Sequence, residues 1–205
     1  MRNAILMLAA ATCLAGANTA FAQDAEKTPA QAFAGPRVEA TIGLDQSGDD
    51  AINGSELTGM RAGGAVGYDV AIGKRVTVGV EAGIGWMVAG HAKVGPYPPF
   101  DTNTYKVTAG RDIDVSGRIG YALSANTLIY GKAGWATQSY GAHDQTGKDY
   151  GDRKSDGVRL GAGIEQKLTS NVYAKAEYRY TRYDEGGNII KNDRHQLLTG
   201  IGVRF

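Results

Sequence analysis

Cysteine is nearly missing from this chain of 205 residues: the one present, Cys13, lies in an apolar segment near the N-terminus. Arg2 gives that segment a positive start, Ala4 to Ala17 a short apolar core, and Ala20-Phe21-Ala22 before Gln23 a small-x-small cleavage pattern. Residues 1–22 therefore read as an export signal, and Thr12 directly before Cys13 does not suit a lipid-anchored cysteine. The processed chain then holds no thiol, which excludes disulfides, thiolate metal sites and cysteine nucleophiles together. Net charge is almost absent too, at +1, so nothing draws the chain to nucleic acid or to a strongly acidic substrate. Beyond the signal, no apolar run approaches the about 20 residues that a spanning helix needs. That excludes helical spanning and leaves barrel spanning open, because a barrel strand turns only alternate residues to lipid.

What is abundant is glycine, with 30 residues, and tyrosine, with 11 against 4 phenylalanines. Barrels use glycine where strands cross closely and tyrosine at the boundary between water and lipid. Alternation of apolar and polar residues predicts eight strands, near 36–45, 60–71, 75–89, 106–123, 127–142, 154–168, 171–183 and 194–205. The third is the clearest. Val76, Val78, Val80, Ala82, Ile84, Trp86 and Val88 share one face, and Thr77, Gly79, Glu81, Gly83 and Gly85 share the other. The last strand places Leu197, Thr199, Ile201, Val203 and Phe205 on one side.

Connections alternate in length. Short links fall at Gly73-Lys74, Ser124 to Asn126 and Thr169-Ser170; long ones fall at Gln46 to Gly59, Gly90 to Tyr105, His143 to Arg153 and Asp184 to Asp193. This alternation predicts an all-β fold, an eight-stranded antiparallel up-and-down transmembrane β-barrel with both termini on the periplasmic side. Residues 23–34 are expected as a short periplasmic lead and 35–205 as the barrel domain.

Period two alone does not say which face meets water. A soluble ligand-binding barrel would turn its apolar face inward. Here the polar face carries glycine and isolated charges of both signs: Glu81, Arg118, Lys132, Glu165, Lys175 and Glu177 all fall roughly three to six residues from the periplasmic strand ends. In lipid each Lys or Arg would cost about 2 to 4 kcal/mol at the midplane, so the charges are expected inside, at one depth, neutralising one another. Tyr68, Trp86, Tyr121, Trp135, Tyr178, Tyr180 and Phe205 fall on the apolar face, where an aromatic girdle is expected.

FAGPRVEATIG in the first strand, VYAKAEYRYTRYD in the seventh and DRHQLLTGIGVRF at the end resemble the porin-family outer-membrane β-barrel domain of small opacity-type and OmpA/OmpX-like proteins, alphaproteobacterial ones in particular. The resemblance covers essentially the whole processed chain and implies an eight-stranded barrel in the outer membrane of a Gram-negative cell. It also implies that Phe205 belongs to the signal read by the barrel-insertion machinery. It carries over no catalytic residue. Arg204, before the final Phe, departs from the aromatic or small polar residue usual there.

Other candidate sites are weaker. Asp45, Ser47, Asp49 and Glu56 sit at positions one, three, five and twelve of a calcium-loop pattern, yet position six is Asp50 in place of glycine. A solvated acidic loop is the simpler reading. His91, His143 and His195 lie in or beside different long loops without a paired ligand spacing, so no metal site is expected. No serine stands beside an acid and a base in the manner of a lipid hydrolase, and GAVGYD and GAGIEQ do not open helices after strands. No cofactor and no enzymatic activity are expected.

The expected role is structural and surface-directed within the envelope. Outer-membrane lipid, lipopolysaccharide and the insertion machinery are the expected partners, with an unidentified extracellular ligand at the long loops and no nucleic acid. The alternative is a narrow channel conducting small ions or solutes through the charged lumen.

Overall fold

The computed structural model describes residues 28–48, 57–89, 92–94, 105–143, 149–184 and 191–205. The strands are β1 (Gly35–Gly48), β2 (Leu57–Ile72), β3 (Val76–Ala89), β4 (Ala92–Val94), β5 (Tyr105–Ala122), β6 (Thr127–His143), β7 (Asp149–Lys167), β8 (Val172–Asp184) and β9 (Lys191–Arg204). The eight long ones form a closed antiparallel barrel. Each pairs with its sequence neighbour, β3 pairs with β5 across the short β4, and β1 pairs with β9 to close the ring.

The short links gather at one end, here the turn end; the strand ends that border segments 49–56, 90–104, 144–148 and 185–190 lie at the other, here the loop end. Two of the short turns share one local code. In each, a hydroxyl accepts the backbone N–H groups two and three residues on: Ser124 from Asn126 and Thr127, Thr169 from Asn171 and Val172. The third turn relies on Gly73, whose φ of 70° is left-handed backbone that a side chain would strain.

At the loop end the strands run further than alternation predicts. β7 starts at Asp149 and β9 at Lys191, while β4, within the long connection that sequence places from Gly90 to Tyr105, pairs with Tyr105, Lys106 and Val107. The reason is that a backbone ladder needs only N–H and C=O groups. Polar strand extensions keep pairing where side chains no longer alternate.

The barrel is apolar outside and polar inside. On β3, Val78, Val80, Ile84, Trp86 and Val88 face outward and are exposed, whereas Thr77 and Glu81 are buried in the lumen. The outward belt ends toward the loops at Gln46, Arg111, Asp156 and Arg182, and toward the turns at Lys74, Arg75 and Gln166, all exposed. Among the described residues the buried apolar cluster is confined to the turn end, where Phe33 packs with Ala122 and Leu128. Phe33 is carried by a short 3-10 turn, Gln31–Phe33, that crosses the mouth of the barrel.

Three bonds fix this stopper. The Ala30 N–H donates to Lys74 O, Lys167 Nζ to Ala32 O at 3.0 Å, and Arg204 Nη1 to Phe33 O at 2.5 Å. Part of the expected periplasmic lead is thus built into the barrel's mouth. Residues 1–27, including the whole expected export signal, lie outside the described residues.

Candidate functional site

The lumen is where the sequence concentrates its chemistry. Inward positions alternate along each strand with lipid-type residues, so inward charges meet both between neighbouring strands, as Arg37 on β1 meets Asp69 on β2, and across the lumen, as Lys132 on β6 meets Glu81 on β3. Among the described residues nine buried Lys or Arg side chains face eight buried carboxylates.

They form two connected tiers. Toward the turns, Glu81 receives Arg37 Nη1 at 2.9 Å and Lys132 Nζ at 2.5 Å. Lys132 also reaches Glu177 at 2.8 Å, and Glu177 is further held by Lys175 at 3.1 Å, by Arg179 and by the Tyr130 hydroxyl at 2.6 Å. Glu39 accepts from Arg37, Lys175 and the Tyr173 hydroxyl. Glu165 pairs with Arg118 at 2.6 Å and Arg204 at 3.1 Å, and Asp69 with Arg37 at 2.9 Å and Arg204 at 2.7 Å. Asp69 gains its room from Gly79 opposite, where a Cβ would collide with its Oδ1.

Toward the loops, Asp112 takes Arg159 at 2.7 Å and both Arg61 and Arg194 at 3.0 Å. Asp114 takes Arg159 at 2.8 Å; Asp45 takes Arg194 and, at 3.5 Å, Arg61. Arg179 joins the tiers, with Nη1 3.6 Å from Asp114. The loop-end tier balances, three guanidinium groups against three carboxylates. The turn-end tier does not: six cations stand against five carboxylates.

All six charges singled out from sequence are buried here. Lys132 links Glu81 to Glu177, and Lys175 joins the same string; Arg118 and Glu165 form a pair of their own, tied to the rest through Asp69, Arg37 and Arg204. Sequence reading missed Arg37, Glu39, Asp69, Arg179 and Arg204, and the entire loop-end tier. Parity was a usable signal, since Arg159 shares its inward face with Glu165 and Arg37 alternates with Val38. Depth along the barrel was not readable.

Of the expected girdle, Tyr68, Trp86, Tyr121, Trp135 and Tyr178 are exposed on the outer face and Tyr180 is half-buried there; Phe205 is exposed at the turn end. His195 also stands on this outer face. Its Nδ1 bonds the Tyr178 hydroxyl at 2.6 Å and its ring lies 5.2 Å from that of Tyr180, so it belongs to the aromatic patch and not to a histidine rim. His91 lies outside the described residues, as does the side chain of His143. Asp45, first position of the calcium-like pattern, is turned into the lumen and held by Arg194; positions 49–56 lie outside the described residues.

Comparison with known proteins agrees with this geometry. Residues 6–205 match the family model described as the outer membrane protein beta-barrel domain. The 25 kDa outer-membrane immunogenic protein of Brucella abortus is 27% identical over 98% of this chain and 97% of its own length. The 22 kDa outer membrane protein of Rhizobium leguminosarum is 35% identical, over 44% of this chain and 45% of its own. Among solved structures, Neisserial surface protein A has a TM-score of 0.57 at 18% identity, covering 83% of this chain and 97% of its own. Ail of Yersinia pestis, solved with a heparin analogue, has a TM-score of 0.52 at 18% identity, covering 83% and 99%. An outward apolar belt, an inward mesh of charge, a match along nearly the whole sequence and relatives named for the outer membrane converge: this chain belongs to the outer membrane protein beta-barrel domain family, and its place is the outer membrane of a Gram-negative cell.

Proposed function

We propose that this protein is a non-enzymatic surface component of the cell envelope, in which the barrel is a rigid anchor and the loop-end segments make the contacts outside the cell. The filled lumen carries this reading. Arg37, Arg159 and Arg194 lie wholly within it, paired on several sides, and Phe33 closes the turn end. An eight-stranded barrel leaves room for side chains and little else, so a mesh of paired charges suits an anchor better than a diffusion path.

In this reading outer-membrane lipid and lipopolysaccharide surround the apolar belt, and the outward tyrosines and tryptophans form its girdle. The insertion machinery reads the closing strand through Phe205, which stands free on the outer face. The name of the Brucella relatives, immunogenic, suits loops that reach the cell surface. An extracellular ligand then meets the segments joining β1 to β2, β3 to β5, β6 to β7 and β8 to β9.

Planar-bilayer recording tests this against the channel alternative. The barrel is expected to show no discrete openings. Unitary steps that disappear when Lys132 or Glu81 is neutralised would establish conduction through the lumen and overturn the anchor reading.

A further inference from the structure

We infer that the turn-end tier of the lumen is a binding site for one small monovalent anion of the halide class, seated against Arg118 and Arg37. The inference stands on charge and hydrogen bonding inside the barrel and does not depend on the surface role. Each of the five carboxylates of this tier already bonds at least two cations, and among the described residues one cation remains in excess.

Arg118 is the least matched of them. Its Nη2 bonds Glu165 at 2.6 Å, a carboxylate it shares with Arg204, while its Nη1 comes only within 3.9 Å of Asp69. Both Nη1 and Nε are buried without a hydrogen-bond acceptor. Arg37 leans on the same Asp69 oxygen through Nε at 2.9 Å, and its Nη2 is likewise buried without an acceptor.

Arg37 and Arg118 thus flank one Asp69 oxygen that Arg204 also bonds at 2.7 Å, and between them they keep three donor nitrogens unmatched. The Tyr130 ring covers one face of Arg118 at 3.8 Å, so an acceptor must come in the plane of the guanidinium, where its N–H groups point. A buried cation without a counter-charge is strongly unfavourable, and a neutral acceptor such as water satisfies the donors without cancelling the charge. The excess of one charge sets the valence. The packed lumen sets the size, because it admits a single atom more readily than an oxyanion.

The test uses the folded protein in detergent. Crystals soaked in bromide are expected to give an anomalous peak within hydrogen-bond reach of Arg118 Nε or Nη1 and of Arg37 Nη2. The unfolding midpoint is expected to rise with chloride concentration relative to gluconate at equal ionic strength, as for any ligand bound only by the folded state. Arg118→Met is expected to abolish that difference. Absence of the bromide peak, equal wild-type midpoints in the two salts, or an undiminished chloride effect in R118M each overturns the proposal; if R118M does not fold, the bromide map of the wild-type barrel decides.

Discussion

At Glu177 three cations and one hydroxyl converge on a single carboxylate, through Lys132, Lys175, Arg179 and Tyr130. Glu177→Gln keeps the shape and removes the charge, leaving a tier already rich in cations with one more uncompensated. Stability is expected to fall by about 3 kcal/mol, read as a lower denaturant midpoint for the barrel folded in lipid vesicles. On the other face the sign of the environment reverses. Val80 is among the most exposed apolar residues, 63% accessible on the outer wall near mid-barrel. Val80→Lys is expected to cost about 2 to 4 kcal/mol in the same measurement, and a neutral result would mean that water wets this wall. Which residues share a face was legible from parity alone, and the cost of charge in lipid told which of the two faces points in. Which charges meet was not: Arg37 and Glu81 lie 44 positions apart, and their contact depends on stagger between strands that no local pattern records.

The strands and turns were the most legible elements, because apolar alternation and turn chemistry are both local. β3 reads from Val76 to Ala89 almost to the residue, and the turns at Ser124 and Thr169 repeat one hydroxyl code. The loop-end extensions and β4 were illegible, since ladder pairing there is carried by backbone groups under polar side chains. The stopper was hidden for a different reason. Phe33 follows an alanine-rich stretch with no period of its own, and only the closed mouth gives it a partner. Phe33→Ala is expected to cost about 3 kcal/mol in heat or denaturant unfolding, because it empties the one buried apolar cluster among the described residues. An unchanged midpoint would show that the segment rests on the mouth without sealing it.

For the molecule as a whole, apolar alternation gave eight strands, and the alternation of long and short connections between them predicted an up-and-down barrel closed on itself. β1 and β9 do pair over Arg37 to Gly48, ring-closing a chain whose first and last strands are far apart in sequence. The inside-out distribution followed from the cost of charge in lipid, and the belt between Arg75 and Gln166 below and Arg111 and Arg182 above gives it a physical edge. What the lumen's chemistry is for lay beyond the sequence, because function in such a barrel is decided by whether side chains fill it. The central claim remains that hydrocarbon touches the outer wall. Trp86 and Trp135 both stand on that wall and are the two tryptophans of the chain. Their fluorescence in vesicles is expected to be strongly quenched by lipids brominated along the acyl chain and little affected by aqueous iodide. Quenching by iodide with no response to brominated lipid would contradict the account.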